Sequence, residues 1–282
     1  MTPDGVFLTS ASKDGHPQLR DGATGDWIGT FQGHKGAVWA CVLNDAAFVA
    51  ATASADFSAR VWNAVTGDEV HCFAHKHIVR TVSFERGSTG TRLVTGGAEK
   101  LVRLYDLCRP EAEPIVCNVD VDRIRKCVWT RDNRGVLVSY IDRPGVDLLD
   151  LASGNIAMRS VAAGSGNGPV SSMELTYDQE YLVTAESDTV SVWGASTFDL
   201  LKRQKIEDFE VEAASYFPQK NSLVVGGSDM WVHVYDFESG KLIENGRGHH
   251  GPVHCIRFAP DGETFASGSE DGTIRLWATH NQ

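Results

Sequence analysis

GHHGPVHCIRFAPDGETFASGSEDGTIRLW, Gly248 to Trp277, is the stretch whose reading decides the fold. A second stretch, GHKGAVWACVLNDAAFVAATASADFSARVW from Gly33 to Trp62, follows the same plan. In both, a Gly-His pair opens the stretch and a Trp closes it 28 residues after the His. Carrying the Trp position along the chain gives Arg20, Trp62, Tyr105, Leu149, Trp193, Tyr235 and Trp277, spaced by 42 to 44 residues. Within each copy a short apolar strand follows the Gly-His turn. A strand of small and β-branched residues comes next, then a tight turn holding an acidic residue, then an alternating strand that ends at the aromatic mark. Thr273-Ile274-Arg275-Leu276-Trp277 shows the period of two expected of a half-buried strand. Asp-Gly and Thr-Gly turns punctuate the copies, and no stretch holds a helical period.

A unit of about 40 to 45 residues built from four short strands is one blade of a β-propeller. The spacing therefore predicts an all-β, seven-bladed propeller in a single domain over residues 1–282. The expected blades run roughly 1–31, 32–73, 74–119, 120–162, 163–206, 207–247 and 248–282. Copies four and five are the most degenerate. Copy four has Leu149 at the Trp position, and copy five replaces the Gly-His turn with AGSGNGPV, Ala163 to Val170.

The bulk numbers narrow the partners. The net charge of −11 makes the chain a poor generic binder of nucleic acid or of anionic membrane. No apolar run approaches the ~20 residues of a membrane helix, and MTPDGVFLTSASKDG lacks the pattern of a signal peptide. The six cysteines contain no Cys-x-x-Cys pair and read as free thiols of a reducing compartment, the cytoplasm with the nucleus open.

His249, Ser267, Asp271 and Trp277 invite a hydrolase reading, because a His, a Ser and an Asp compose a triad. The second copy repeats the set as His34, Thr52, Asp56 and Trp62. A set that recurs from blade to blade is expected to be a structural hydrogen-bond network rather than a catalytic centre. His249, His250, His254 and Cys255 do not make a metal site on this reading, since His249 belongs to the network and neighbours on a strand face opposite ways. The Gly-rich run from Ala163 to Gly168 lacks the Lys of a phosphate loop. No cofactor, metal or catalytic residue is expected.

Propeller partners engage the face at which each inner strand begins. The position five residues after each Gly-His mark gives Trp39, Arg80, Arg125, Ser171, Glu212 and His254. Exposed Trp and Arg are favoured in binding hot spots. Lys76, Arg80, Arg123, Arg125 and Lys126 form a basic sector on copies three and four, suited to an acidic or phosphorylated peptide. The candidate partner-binding residues are therefore Trp39, Lys76, Arg80, Arg125, Glu212 and His254.

The Gly-His and Trp marks resemble the WD40-repeat family. Four segments narrow the match: GDWIGTFQGHKGAVWACVLN (Gly25 to Asn44), AHKHIVRTVSF (Ala74 to Phe84), RLYDLCRPEAEP (Arg103 to Pro114) and GPVHCIRFAPDGETFASGSEDGTIRLW (Gly251 to Trp277). They resemble the scaffold branch of the family that associates with the survival-motor-neuron complex in small nuclear ribonucleoprotein assembly. The resemblance implies a non-enzymatic scaffold with protein partners: subunits of that complex, receptor kinases and an RNA-binding translation regulator. No membrane contact is expected, and the net charge of −11 disfavours direct nucleic-acid binding. Family members also carry an N-terminal segment with two further strands. Against that pattern the chain opens at the turn Met1-Thr2-Pro3-Asp4-Gly5 and stops after the third strand of blade seven. The first and last blades are thus expected to lack one strand each. A start upstream of Met1 is favoured over a truncated chain or a partner that donates strands.

Overall fold

Among the described residues, twenty-six strands and one short 3₁₀ turn, Pro218–Lys220, make up the secondary structure of the computed structural model. It describes residues 1–87, 90–119, 122–161 and 168–279. Most of the Gly-rich run that begins at Ala163 lies outside the described residues, as do the last three residues.

The strands form seven successive antiparallel sheets, an all-β seven-bladed propeller fold. Sheet one has three strands, β1 (Phe7–Ser10), β2 (Gln18–Asp21) and β3 (Trp27–Thr30). Sheet two holds β4 (Val38–Leu43), β5 (Val49–Ser54), β6 (Ser58–Asn63) and β7 (Glu69–Ala74). Sheet three holds β8 (Val79–Phe84), β9 (Arg92–Gly97), β10 (Leu101–Asp106) and β11 (Ile115–Asn118). Sheet four holds β12 (Ile124–Trp129), β13 (Gly135–Tyr140), β14 (Val146–Asp150) and β15 (Asn155–Met158). Sheet five follows with β16 (Val170–Leu175), β17 (Tyr181–Glu186), β18 (Thr189–Gly194) and β19 (Leu200–Lys205). Sheet six has β20 (Val211–Phe217), β21 (Ser222–Gly227), β22 (Val232–Asp236) and β23 (Leu242–Gly246). Sheet seven again has three, β24 (Val253–Phe258), β25 (Thr264–Ser269) and β26 (Ile274–Ala278).

Two compact units divide the chain. The first, Met1–Asp142 with Val146–Val161, carries sheets one to four. The second, Arg143–Gly145 with Ala162–Gln282, carries sheets five to seven.

Composition follows position in the sheet. The second strand packs on both faces, so β5 is VAATAS, and Ala50, Ala51 and Ala53 are fully buried. Small and β-branched residues let sheets stack closely at such a strand. The fourth strand has one neighbour and a free edge, so β7 is EVHCFA and mostly exposed, and β19 (LLKRQK) follows suit. Charged residues on such edges discourage pairing with other chains.

The core lies between stacked sheets. In the first unit, Val61 and Phe73 of sheet two meet Val79, Leu93 and Tyr105 of sheet three, with the Phe73 and Tyr105 rings stacked at 4.0 Å. Trp129, Val136 and Leu149 of sheet four pack on Val94, Val102 and Cys117 of sheet three. In the second unit, Val183 and Val192 meet Tyr216 and Leu223. Val224 and Val232 meet Ile256 and Phe265.

Candidate functional site

The pairing of the first and second strands contains one irregularity, and it recurs in six sheets. The register shifts between Val38 and Ala40, Val79 and Thr81, Ile124 and Lys126, Val170 and Ser172, Val211 and Ala213, and Val253 and Cys255. The residues skipped by the ladder are Trp39, Arg80, Arg125, Ser171, Glu212 and His254. A β-bulge leaves its extra residue unpaired and re-aims the side chain. The six positions chosen by spacing from the Gly-His marks are therefore the bulge residues of their sheets. Alternation along the strand breaks at such a point, so His254 and Cys255 are both exposed. The opposite-face argument used above for that pair does not hold there.

In the first unit these side chains cluster. Trp39 is 42% exposed, and the Arg80 guanidinium carbon lies 4.5 Å from its ring centroid. Arg123 makes a two-pronged pair with Asp142, at 2.9 Å through Nε and 2.6 Å through Nη2. Burial and the charges of Arg125 and Arg123 lower the pKa of Arg80, while Asp142 acts against them. Arg125 is half-buried and its Nε has no hydrogen-bond partner. Lys76 is exposed, and its backbone N–H donates to the Glu99 carboxylate.

The second unit places different chemistry at the same register. Ser171 donates from Oγ to the carbonyls of Ala185 (3.0 Å) and Val211 (2.8 Å). His254 stands 3.8 Å from both Glu212 and Glu270. Deeper along the same first strands, Glu174 accepts from Ser215 Oγ at 2.6 Å and pairs with Arg257 at 2.7 Å. That pair joins sheets five, six and seven. No spacing in the sequence announces it, because each partner lies on a different sheet.

The His, Thr or Ser, Asp and Trp sets are hydrogen-bond chains with a defined direction. Trp62 Nε1–H donates to Thr52 Oγ1 (2.9 Å), Thr52 lies 2.6 Å from His34 Nε2, and His34 Nδ1 lies 2.8 Å from Asp56. An indole only donates and a carboxylate only accepts, so the Thr hydroxyl donates to Nε2 and Nδ1–H donates to Asp56. Sheet seven repeats this with Trp277 to Ser267 (2.7 Å), Ser267 to His249 (2.7 Å) and His249 to Asp271 (3.1 Å). The polarity is that of a hydrolase triad, but Thr52 and Ser267 are buried and each hydroxyl oxygen already accepts an indole N–H. Neither hydroxyl is placed to attack a substrate. The Gly-His-x-Gly spacing has a steric cause as well, since a Cβ on Gly36 or Gly251 would come 3.0 Å from the amide nitrogen of Asp56 or Asp271.

Burial opposes the charge on Asp56, but hydrogen bonds from Ser58, the Lys35 backbone and His34 outweigh it and hold the pKa at about 2. Asp271 is held well below the usual carboxylate range by its own set of donors, again against burial. Burial pushes the His34 pKa down despite Asp56.

Where the marks are lost, other residues take over. In sheet three His75 meets Thr95 at 2.9 Å, and Glu99 replaces the Asp. In sheet six His233 approaches Asp229 from the third strand at 2.6 Å. In sheet four the buried Asp147 accepts from Tyr140 Oη (3.0 Å) and the Ser160 amide (2.9 Å).

The polar connection from Arg109 to Pro114 does more than contact solvent. With Arg92, Leu104, Tyr105, Asn133 and Leu151 it borders an open cavity of about 870 Å³. Among the described residues, no group of three or more His, Cys, Asp and Glu is arranged to hold a metal ion. No helix among them is long and apolar enough to cross a membrane.

Comparison with known proteins follows the same lines. The model of the WD domain, G-beta repeat, matches residues 25–63 and 240–278. The serine-threonine kinase receptor-associated protein of Homo sapiens is 48% identical over 283 aligned positions, covering 99% of this chain and 77% of that protein. Its counterpart in Gallus gallus is 47% identical with the same coverage. The Dictyostelium discoideum protein of that name is 44% identical, covering 97% of this chain and 91% of its own length. With blades, repeat marks and near-full-length identity in agreement, the chain belongs to the WD40-repeat family of serine-threonine kinase receptor-associated proteins.

Proposed function

We propose that this chain is a non-enzymatic protein-interaction scaffold whose partners dock at the bulge end of the first strands. The observation that carries this reading is the exposed Trp39 ring with the Arg80 guanidinium laid over it. The two residues come from adjacent sheets, where bulges turn both out of the ladder. A rigid aromatic paired with a planar cation is the composition of interface hot spots. Lys76 and Arg125 complete the proposed contact set of the first unit, and Glu212 and His254 are the proposed contacts of the second. The four networked residues of sheet two and their counterparts in sheet seven serve as scaffold in this reading.

The partners follow from the family. Subunits of the survival-motor-neuron complex, in the assembly of spliceosomal small nuclear ribonucleoproteins, are the first. Receptor kinases, as the relatives' name implies, are the second. The net charge of −11 argues against nucleic acid as a direct ligand. A location in the cytoplasm, with access to the nucleus, fits these partners.

Affinity purification of the full-length protein tests the proposal. Recovery of ribonucleoprotein-assembly subunits, lost on Trp39→Ala with Arg80→Glu while circular dichroism is unchanged, is the expected result. Retention of the same partners by that variant sinks the rim assignment.

A further inference from the structure

Arg80 and Arg125 are half-buried bulge residues of neighbouring sheets, and among the described residues neither has a carboxylate within ion-pairing distance. The nearby carboxylate, Asp142, is held by Arg123. At Arg80 the charges of Arg125 and Arg123 are opposed by Asp142, in a chain whose net charge is −11. Holding like charges together costs free energy in the unbound protein and is relieved by a bound anion. A planar fork of N–H donors fits phosphate oxygens two at a time.

An apolar shoulder adjoins the cations. Trp39 and Phe57 are 42% and 45% exposed. Phe57 follows Asp56 in the tight turn that is tied to the segment leading into Trp39, through Lys35 N–H to Asp56 (3.0 Å) and Ala55 N–H to Ala37 O (2.8 Å). Its backbone is left-handed, with φ of 68°, as at the same turn position in Lys100 (64°), Met230 (71°), Gly15 (86°) and Gly272 (79°). The Phe57 ring lies 5.5 Å from that of His77, from the turn that precedes Arg80.

We infer that the Arg80–Arg125 cluster is a phosphate-binding site for a phosphorylated segment of a protein partner, with Trp39 and Phe57 taking an apolar residue beside the phosphate. The inference rests on the docking face proposed above and names the chemistry it selects. A phosphopeptide is favoured over a nucleic-acid backbone because the positive charge is confined to one sector of a chain whose net charge is −11.

The test uses the immobilised full-length protein and three degenerate peptide libraries, identical except for a fixed central phosphoserine, glutamate or serine. Retention of the phosphoserine library should exceed that of the serine library about tenfold, with apolar residues enriched beside the fixed position. Arg80→Gln with Arg125→Gln should abolish the difference, and Arg80→Lys should remove much of it, with near-ultraviolet circular dichroism unchanged in both. Equal retention of the phosphoserine and serine libraries overturns the inference. So does displacement of the peptides by an equally charged single-stranded oligonucleotide, which would make the cluster a general anion site. Partner capture that depends on Trp39 but survives phosphatase treatment sinks the phosphate inference alone. Capture indifferent to Trp39→Ala sinks the docking face itself.

Discussion

Arg80 lays its guanidinium 4.5 Å from the ring centroid of Trp39, and both side chains stand where the strand ladder skips a residue. The contact is solvent-exposed on the Trp side, so it contributes only about 0.5–1 kcal/mol to folding. Trp39→Ala should therefore shift stability by about 1 kcal/mol or less while weakening partner capture at least about tenfold. Urea denaturation and a pull-down titration on the same variant separate the two effects. A loss of stability well above that range would make Trp39 a packing residue.

The His34 network should respond in the opposite sense. His34→Ala leaves Asp56 and Thr52 without their shared partner in a buried setting and should cost about 2–4 kcal/mol. His249→Ala in sheet seven should cost a similar amount, and the two losses should add, since they share no partner. Chemical denaturation of the single and double variants checks this.

Acid should weaken the fold in two stages. His34 has a folded pKa below its unfolded value, so its unfolded form binds the extra proton, and stability falls as pH drops below about 6.5. Asp56 has a folded pKa of about 2 against about 3.9 unfolded, so its contribution is complete above about 4 and lost as pH falls towards 2. Melting temperatures from pH 7.5 to 2.5 should decline in both windows, and His34→Gln should flatten the upper one.

Phe57→Gly should stabilise the protein by about 1 kcal/mol, because the left-handed backbone that strains Phe is open to Gly. The same change should weaken partner capture. A destabilised variant would mean that the Phe57 contact with His77 outweighs the strain.

Arg257→Ala should cost about 3 kcal/mol, since it strands the buried Glu174 carboxylate. Adding Glu174→Leu should recover most of that loss, which thermal melts of the two variants would reveal.

Most of the architecture was legible because its causes are local. The 42-to-44-residue spacing, the Gly-His turns and the aromatic marks each act within one blade, where the partners are close in sequence or one hairpin apart. Steric need at Gly36 and the donor and acceptor limits of Trp62 and Asp56 follow from residue type. Sheet four was harder to read. Leu149 replaces the Trp mark, and the buried Asp147 replaces the network by borrowing Tyr140 and Ser160, a substitution with no spacing to announce it. His233 in sheet six is a similar case, arriving from the third strand rather than from the turn.

By itself, then, the sequence determined the repeat, the strand order within each blade and, in the second and seventh blades, the polar residues that close the hydrogen-bond network. Those choices depend on neighbours a hairpin away. Only the tertiary structure decided that the six spaced positions are bulge residues, that Arg80 covers Trp39, that among the described residues Arg80 and Arg125 make no ion pair with a carboxylate and that Glu174 pairs with Arg257. The Arg80–Trp39 and Glu174–Arg257 contacts join separate sheets. Their geometry is set by how the sheets stack, and a repeat read along one strand holds no record of it.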